Sequence, residues 1–392
     1  MLTSTNNCLL KGRVKVLINI LRIILRFFYL FRIKNNKVVL QAYNGRLYTC
    51  SPKYIAEGLS NTKRYDVYYA LRDDSKDKIP ESIKRIKYRS FMHFYHLMTA
   101  GYVIFNSSGI TGFLPYRKSQ VIIQTWHGGY SFKVIGNDIF TDEKSRKNRS
   151  LSGSIITYFL SGSKLATEQH SPAMSVAKEK FLNIGLPRND ILFRDHSEIK
   201  KKVYEYFSIG EGTHLVLYAP TYRDGPVRSM TEYGLESIDD NAVVKALEER
   251  FGGRFVFMYK AHHDMIPTNI GDNCINASSY SDIQELMCVA DVIITDYSSC
   301  MADFALQRKP GFLFTPDLRE YESVHPLSMN PERWPYQVLC DNNELLAAIR
   351  NYDEASGLQK IESFFTEIGN CDVGNAVNSL IQIMDKHLNG AE

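Results

Sequence analysis

The sequence lacks the cysteine pairs that hold together a disulfide framework or a structural zinc site. Seven cysteines are scattered over 392 residues, with no CxxC pair and no histidine at zinc-finger spacing. A zinc finger needs closely spaced Cys and His ligands, and a disulfide scaffold needs a dense, paired set of cysteines. The pattern excludes both classes and is typical of a protein in a reducing cytoplasm.

The glycine motifs of several common enzyme families are also missing. Neither GxGxxG, nor GxxxxGK followed by Ser or Thr, nor GxSxG occurs in the chain. The first motif brings backbone close to a dinucleotide, the second wraps a nucleotide's phosphates, and the third presents a serine nucleophile. The sequence therefore does not support a dinucleotide oxidoreductase, a P-loop kinase or a nucleophile-elbow hydrolase.

A large excess of one charge is absent. The 47 Lys and Arg residues oppose 43 Asp and Glu residues, which leaves a net charge of +4. So small an excess does not indicate general nucleic-acid binding. The acidic pair Asp73 and Asp74 continues into the mixed-charge segment Ser75 to Lys78, which indicates a solvated loop rather than a metal site. We therefore expect no nucleic-acid partner, no metal and no other cofactor.

Acidic residues are absent from the first 36 positions, where basic residues alternate with apolar ones. Lys11, Lys15, Arg22 and Arg26 fall on one face of a helix whose other faces are mainly Leu, Ile, Val and Phe. Charges recur too often for a spanning helix or a signal peptide. Residues 1–36 are predicted to associate with an anionic membrane surface as a peripheral segment. A helix packed against the protein's own body is the alternative.

The rest of the chain contains enough apolar sequence for two folded domains, since 44% of the 392 residues are apolar. Short β-rich runs alternate with helical stretches, as in βαβ units of a parallel sheet. The runs form two series: Val38–Leu40, Val67–Ala70, Tyr102–Phe105 and Val121–Ile123, then Leu215–Tyr218, Phe255–Met258, Val292–Ile294 and Phe312–Phe314. We predict an α/β fold of two facing doubly wound (Rossmann-like) domains, residues 37–205 and 206–392, the second ending in closing helices.

A histidine follows the last strand of the first series. His127 comes shortly after Val121–Ile123, and it is well placed as a general base because the carboxyl ends of parallel strands line the ligand crevice. Four neighbouring residues are candidates for substrate binding or for support of this turn: Trp126, Gly128, Gly129 and Lys133. Two glycines allow close approach of a ligand to the backbone. A histidine that only makes structural hydrogen bonds is the alternative.

Polar side chains also follow the strands of the second series. The candidates for donor binding are Thr221, Arg223, Lys260, Asp296, Ser298 and Ser299, and His262 is a second catalytic candidate beside His127. The two serines precede an apolar helix, whose first N–H groups can bind a phosphate. An ordinary serine cap is the alternative for these two residues. Convergence of four strand ends on one cleft favours a phosphate-binding site.

Five motifs in order resemble the CDP-glycerol glycerophosphotransferases of teichoic acid synthesis and their relatives in capsule assembly. The motifs are Thr125–Gly128, Gly185–Asp190, Tyr218–Arg223, Lys260–His262, and Thr295–Ser299 with Asp303 and Phe304. They span about 180 residues and both predicted domains, and the basic apolar N-terminus is similar to the family's membrane-associating segment. The resemblance identifies the chain as a polyol-phosphate transferase.

The resemblance implies a two-domain glycosyltransferase-B-like fold that takes a CDP-activated polyol donor and a membrane-bound, lipid-linked acceptor. The enzyme would act peripherally at the cytoplasmic face of the cell membrane, with residues 37–205 on the acceptor side and residues 206–392 on the donor side. His127 corresponds to the family's base and His262 to a histidine near the donor phosphates. Ser298 and Ser299 correspond to phosphate-binding residues, and Asp296 to the residue that holds their loop. Arg188 belongs to the second motif and is expected to contact the acceptor or support a loop.

One segment departs from the family pattern and leaves the transferred group open. After Pro316 and Asp317 the family commonly has an arginine-glycine-aromatic stretch, but this chain reads Tyr321–Pro326 and then Pro331–Tyr336. Glycerol phosphate, ribitol phosphate and other polyol or sugar phosphates all remain possible. A nucleotide-sugar glycosyltransferase or epimerase of the same fold is the nearest alternative, and a non-catalytic membrane-surface protein that binds a nucleotide or anionic lipid is another. The oligomeric state stays open.

Overall fold

Two parallel β-sheets organise the computed structural model, which describes residues 20–139, 142–221, 237–261 and 274–390. The first sheet has seven strands in the order β3-β2-β1-β4-β5-β6-β7, all of them parallel. Its strands are β1 (Lys34–Gln41), β2 (Asp66–Leu71), β3 (Lys84–Lys87), β4 (Ala100–Phe105), β5 (Val121–Gln124), β6 (Tyr158–Leu160) and β7 (Phe181–Leu182). The helices between them are α1 (Cys50–Thr62), α2 (Phe91–Thr99), α3 (Glu143–Ser154) and α4 (Lys164–Met174).

The second sheet has six parallel strands in the order β10-β9-β8-β11-β12-β13. They are β8 (Thr213–Tyr218), β9 (Arg254–Tyr259), β10 (Cys274–Asn276), β11 (Val292–Thr295), β12 (Gly311–Phe314) and β13 (Gln337–Leu339). The helices are α5 (Ser197–Phe207), α6 (Asp240–Phe251), α7 (Ile283–Val289), α8 (Cys300–Ala305), α9 (Leu318–Val324), α10 (Asn342–Arg350), α11 (Glu354–Ile368) and α12 (Ala376–Leu388). Short 3-10 helices include Arg26–Leu30, Pro187–Phe193 and Pro331–Arg333.

Helices cover both faces of each sheet, which explains why the strands are continuous apolar runs rather than alternating ones. In β1, Val38 and Leu40 pack into the cluster on one face while Val39 packs into the cluster on the other. All six residues of β4 are buried. The eight predicted strand runs and the two-sheet α/β fold are confirmed.

The strand orders place a crevice at the same point in each sheet. Successive strands run outward from β1 to β3, and the chain then returns to place β4 on the other side of β1; β8 and β11 repeat this reversal in the second sheet. A ligand crevice opens outside the carboxyl ends of two such strands because their loops lead to opposite faces of the sheet. The crevice of the second sheet thus lies between the loops that follow β8 and β11.

Two segments differ from the sequence prediction. Helix α12, predicted among the closing helices of the second domain, packs on the first sheet: the hydroxyl of Tyr102 donates to the carbonyl oxygen of Met384 at 2.8 Å. Its apolar face joins the core beside β1 because Val377 and Leu380 are buried there. Gly210 and Gly212 end a charged segment, residues 198–212, and predict a hinge between the two series of strands, but residues 198–207 of this segment lie in helix α5. The domain bounds stay a prediction.

The N-terminal segment is described from residue 20 onward, so Lys11 and Lys15 lie outside the described residues. Residues 20–25 are helical and continue into the 3-10 helix Arg26–Leu30. Leu25 and Phe28 are buried against α2, whereas Ile23 and Leu30 are 67% and 78% exposed. None of the helices in the described ranges is both long and apolar enough to cross a membrane.

Candidate active site

The turn after β5 presents His127 at the edge of the first sheet. Trp126 has a φ of +53°, a left-handed conformation that bulky residues rarely adopt. The side chain of Gln124 supports this turn, because its Oε1 accepts a 3.2 Å hydrogen bond from the backbone N–H of Trp126. The rings of Trp126 and His127 lie side by side with 4.2 Å between their centroids. The turn thus holds an exposed histidine in a defined orientation.

A backbone carbonyl selects the tautomer of His127. Its Nδ1 lies 3.3 Å from the carbonyl oxygen of Asn106, which follows β4 directly. A carbonyl oxygen only accepts hydrogen bonds, so this contact favours a proton on Nδ1 and a lone pair on Nε2. Nε2 is then the atom that can take a proton from a substrate hydroxyl.

Gly128 and Gly129 bring the same turn close to the second domain. A Cβ on Gly128 would lie 3.1 Å from Oγ of Ser299, and a Cβ on Gly129 would lie 3.5 Å from Oδ1 of Asp303. The first distance is tighter than ordinary van der Waals contact, so any larger residue would displace Ser299. The glycines, predicted to admit a ligand, thus also admit a loop of the opposite domain.

Arg188 supports the catalytic turn from behind. Its Nη1 donates to the carbonyl oxygen of His127, and its Nη2 lies 2.5 Å from Oδ2 of Asp303 in α8. Asn189 donates to the other oxygen of the same carboxylate at 3.1 Å. Arg188 is 5% exposed. Of the two roles predicted for Arg188, this geometry fits support of a loop, and it ties His127 to the helix that follows the serines.

The loops after β8 and β11 are joined across the crevice of the second sheet. The backbone N–H of Thr221 lies 2.9 Å from both carboxylate oxygens of Asp296. Asp296 is 1% exposed, so the contact fixes both loops within the protein rather than at its surface. Asp296 therefore joins the loop that carries Ser298 to the loop after β8.

Lys260 brings a buried cation to this crevice from the end of β9. It is 9% exposed, and its Nζ donates to the carbonyl oxygen of Ser278 at 2.9 Å. Burial lowers the pKa of Lys260 to about 8, although Asp282 acts in the opposite direction. An ammonium group in such surroundings gains favourable energy when a phosphate approaches, because that charge offsets the cost of burial.

Ser298 and Ser299 stand at the start of α8. Ser299 is the N-cap, and Oγ of Ser298 accepts a long 3.4 Å hydrogen bond from the N–H of Cys300. Both serines line the same cavity as Lys260. Hydroxyls and a cation suited to phosphate are therefore collected on the second-domain side.

One cleft of about 510 Å³ joins these groups from the two domains. Nine of the candidate residues line it: Trp126, His127, Gly128, Lys133, Arg188, Thr221, Lys260, Ser298 and Ser299. Gly129 and Asp296 are buried beside lining residues. The fold thus brings together candidate residues that lie up to 173 positions apart in the sequence, from Trp126 to Ser299.

Lys133 connects the cleft to the segment that departs from the family pattern. Its Nζ lies 5.6 Å from the centroid of the Tyr321 ring, a cation–π distance. Tyr321 stacks on Tyr297, with 3.8 Å between ring centroids. The backbone N–H of Ser328 donates to the carbonyl oxygen of Phe132 at 2.9 Å. The unusual segment therefore packs against the turn that carries His127.

Two of the candidate residues belong to segments beyond the described ranges. Arg223 and His262 lie outside the described residues. Within the described ranges, no group of three or more His, Cys, Asp or Glu side chains is arranged to hold a metal ion. The expectation that no metal is needed remains a prediction.

Two further residues, Asn106 and Ser278, contribute to the site and were not predicted from the sequence. Asn106 follows β4, and its carbonyl contacts His127; Ser278 follows β10, and its carbonyl accepts from Lys260. Both act through backbone atoms, so their side-chain types gave no indication of this role. Asn106 directly follows a predicted strand, which was the available evidence, whereas Ser278 lies two residues after β10, a strand that was not predicted.

The chain matches a family model and known proteins over most of its length. The family model described as CDP-Glycerol:Poly(glycerophosphate) glycerophosphotransferase matches residues 23–384. The chain is 25% identical to the teichoic acid poly(glycerol phosphate) polymerase of Bacillus spizizenii, over 94% of this chain and 96% of that protein. It is 26% identical to the Staphylococcus epidermidis protein of the same description, over 91% of this chain and 51% of that protein. The chain thus spans about half the length of the second relative.

The fold is also similar to that of a solved structure. The wall teichoic acid polymerase TagF superposes with a TM-score of 0.82 at 25% identity, over 97% of this chain and 98% of that chain. The family model's match, residues 23–384, includes both sheets and the residues that line the cleft.

Proposed function

The chain belongs to the CDP-glycerol:poly(glycerophosphate) glycerophosphotransferase family, and on this premise we propose the reaction that it catalyses. It transfers a polyol phosphate from a CDP-activated donor to a hydroxyl of a membrane-bound, lipid-linked acceptor and releases CMP, in teichoic acid or capsule synthesis. The observation that carries the proposal is the cleft in which His127 of one domain faces Lys260 and Ser298 of the other. Phosphoryl transfer needs a base and phosphate-binding groups at one place.

The chemical step starts with the acceptor hydroxyl. Nε2 of His127 takes the proton while the hydroxyl oxygen forms a bond to the β-phosphorus of the donor. The bond from that phosphorus to the bridging oxygen breaks, and CMP leaves with the electron pair. General-base catalysis of this kind contributes roughly 10²- to 10⁴-fold to a rate.

The second-domain groups bind and stabilise the leaving phosphate. Lys260 supplies a cation, and the hydroxyls of Ser298 and Ser299 supply donors, while Asp296 keeps their loop in register with Thr221. Their charge and dipoles are fixed before substrate arrives, so little reorganisation is needed as charge develops on the leaving group. Arg223 and His262 are expected to add to this set by their positions in the family motifs.

Membrane attachment is part of the proposal. Residues 20–31 expose apolar side chains, with Ile23 at 67% and Leu30 at 78%, next to Arg22 and Arg26. A surface that combines exposed apolar groups with cations favours the interface of an anionic bilayer. We place the enzyme as a peripheral protein at the cytoplasmic face, where a lipid-linked acceptor and a soluble nucleotide donor can meet.

The test uses the full-length chain with CDP-glycerol and CDP-ribitol supplied separately, with and without a lipid-linked acceptor, and measures CMP release. Acceptor-dependent CMP release supports the proposal and identifies the polyol. Release of UDP or another nucleoside diphosphate from a sugar nucleotide, with no turnover of CDP-polyols, would instead identify a glycosyltransferase of the same fold. Binding of nucleotide without any turnover would indicate a non-catalytic protein.

A further inference from the structure

Ser131 lies in the loop after β5, four residues beyond His127, and it lines the same cleft. Its Oγ lies 2.9 Å from Nε2 of His170 in α4. His170 is 1% exposed and Ser131 is half-buried, so this pair runs from the interior of the first domain to the wall of the cleft. A buried imidazole that contacts a hydroxyl in the cleft lining fixes the orientation of that hydroxyl before a substrate binds.

The backbone of Ser131 is also held by neighbouring side chains. Its carbonyl oxygen accepts a 3.3 Å hydrogen bond from Nε2 of Gln169 and another from Oγ of Ser328. Gln169 also donates to the hydroxyl of Tyr130 at 3.0 Å, which fixes the amide itself. A carbonyl oxygen has two lone pairs, and here both are used. Of the two oxygens of Ser131, the hydroxyl is therefore the one that can bind a ligand.

The surroundings of His170 determine which hydrogen-bonding groups remain on that hydroxyl. Burial, with a smaller contribution from the nearby His127, lowers the pKa of His170 to about 4, so the ring is neutral at pH 7 and carries one proton. Its Nδ1 is buried and has no hydrogen-bond partner among the described residues. A proton on Nδ1 would be a buried donor without an acceptor, so the structure favours the proton on Nε2, which donates to Ser131.

The hydroxyl of Ser131 then offers one donor and one acceptor to the cleft. Its Oγ accepts from His170 and keeps its own proton and one lone pair. A ligand hydroxyl can pair with both of these, because it also donates and accepts, whereas an ionised phosphate oxygen only accepts. The cation that suits a phosphate is Lys260, which comes from the other domain. Ser131 is therefore suited to bind a hydroxyl group.

The proposed reaction brings a polyol into this part of the cleft. In an in-line displacement the attacking and leaving oxygens lie on opposite sides of the phosphorus, so the polyol of the donor extends sideways from that axis. With the attacking oxygen at His127 and the leaving phosphate at Lys260, the polyol contacts other parts of the cleft lining, to which Ser131 belongs. Through Ser328, Ser131 also contacts the segment that departs from the family pattern.

We propose that Ser131, oriented by His170, binds a hydroxyl of the polyol in the CDP-linked donor and so helps to select the transferred group. The inference rests on the proposed function and deepens it. Ser131 touches the substrate, and His170 is a positioning residue that acts through Ser131. A donor whose transferred group carries hydroxyls is bound more tightly than one of equal charge without them, because the second leaves the Ser131 hydroxyl unpaired.

The test measures binding of three CDP esters to the full-length protein by calorimetry, without an acceptor. They are CDP-glycerol, CDP-ribitol and CDP-ethanol, which has the same charge but no hydroxyl in its ester group. Ser131→Ala should raise the Kd for the more tightly bound CDP-polyol about 3- to 10-fold and leave the Kd for CDP-ethanol unchanged. Ser298→Ala is the matched comparison, because it removes a hydroxyl from the phosphate-binding side of the same cleft. It should raise the Kd for all three esters by a similar factor.

The same titrations test the positioning role of His170. His170→Phe keeps a buried ring but removes the donor, so it should raise the Kd for the CDP-polyol as much as Ser131→Ala does, with no further rise in the doubly substituted protein. His170→Gln should restore most of the affinity, because its amide nitrogen can donate from about the position of Nε2. A rise in the Kd for CDP-ethanol, or additive effects of the two substitutions, would overturn this role.

These titrations also separate the inference from the proposed function. A loss of affinity by Ser131→Ala that is confined to the CDP-polyol supports the assignment even if no CMP is released with an acceptor, a result that would overturn the reaction alone. Equal losses for the CDP-polyol and CDP-ethanol, no loss for either, or no preference of the unaltered protein for a CDP-polyol would overturn the assignment. Acceptor-dependent CMP release would then leave the proposed function standing. Thermal melts check that all variants are folded.

Discussion

A single side chain, His127, carries the proton transfer in the proposed reaction. His127→Ala should lower kcat roughly 10²-fold or more because no other group takes the hydroxyl proton in its place. The affinity for the CDP-linked donor should persist, since the phosphate groups contact the second domain. Rapid-quench or steady-state CMP release measures the first quantity and calorimetry the second.

His387→Ala is the matched control, because that histidine is exposed in α12 and does not line the cleft. It should retain the activity of the unaltered enzyme. A folded His127→Ala variant with near-full activity would assign the base to another residue.

Binding of the CDP-linked donor should depend on pH through the charge of Lys260. With a pKa of about 8 in the unliganded protein, the side chain is charged below pH 8 and loses its charge above it. The KM for the donor should therefore rise as the pH increases from 7 to 9, because the neutral amine binds phosphate weakly. Steady-state kinetics over this range measures the rise, with the KM for the acceptor as an internal reference.

Lys260→Met should raise the KM for the donor by about 10-fold or more at pH 7. The substitution should also remove most of the increase in the KM for the donor between pH 7 and pH 9. Parallel pH profiles for the two proteins would show that another group titrates in this range.

The sequence alone located His127 and Lys260 but not the contacts that position them. Both follow buried parallel strands, and the carboxyl ends of such strands meet at one edge of a sheet, so their convergence could be predicted. The pairing of Arg188 with Asp303 could not, because 115 residues separate them and their pairing depends on how the two domains pack. The left-handed backbone conformation of Trp126 could not be predicted either, because tryptophan has no preference for that conformation.

Among the larger elements, the N-terminal segment makes two different contacts. From the sequence, a membrane anchor and a docked helix are alternatives, but in the structure Leu25 and Phe28 are buried while Ile24 and Phe27 are about 60% exposed. Replacing Ile24 and Phe27 with Ser should weaken binding to anionic vesicles and leave the melting temperature unchanged, because those side chains contact little of the protein. Vesicle co-sedimentation and thermal melts measure the two effects.

Phe28→Ser is the matched control because Phe28 packs on Phe91 with 5.4 Å between ring centroids. It should lower the free energy of unfolding by about 3–5 kcal/mol, as for other buried aromatic truncations. Raised salt should weaken vesicle binding of the unaltered protein by screening Arg22 and Arg26. Unchanged vesicle binding of the doubly substituted protein would contradict the anchor.

The long buried strands were predictable, whereas several short ones were not. Each predicted run of three or four apolar residues lies within an observed strand, since strands covered on both faces need continuous apolar side chains. Strand β3 reads Lys-Arg-Ile-Lys and β7 has two residues, so neither has a recognisable pattern. The packing of α12 on the first sheet could not be predicted either, because an amphipathic sequence does not indicate which domain the apolar face of its helix will cover.

In the whole molecule, buried ion pairs hold the two domains together around the cleft. Nζ of Lys53 in α1 lies 2.6 Å from Oδ2 of Asp282 and 2.7 Å from Oε1 of Glu285, at the start of and within α7. Lys53 is 8% exposed and Glu285 is 6% exposed. These ion pairs join α1 of the first domain to α7 of the second domain. They should therefore contribute to the stability of the protein and help to set the width of the cleft.

The Lys53 pair should control how the stability of the protein depends on pH. Burial alone would raise the pKa of Glu285, but Lys53 and a hydrogen bond from Lys202 lower it to about 2. A carboxyl group with a pKa lower in the folded than in the unfolded state stabilises the fold above the unfolded value of 4.5, and this contribution is lost as the pH falls from 4.5 toward 2. The interface therefore weakens in acid.

Lys53→Met should lower the free energy of unfolding at pH 7 by about 3–5 kcal/mol, because it leaves two carboxylates buried without their main cation. The difference from the unaltered protein should narrow as the pH falls from 4.5 to 2, since Glu285 no longer needs that cation once it is protonated. Lys202→Met is the control: Lys202 contacts the same Glu285 at 2.6 Å, but its side chain is 60% exposed, so its removal should cost less than about 1 kcal/mol. Denaturant titrations at several pH values measure the free energy of unfolding of both variants. Equal losses for the two variants, or a gap that stays constant in acid, would show that the buried pair does not hold the domains together.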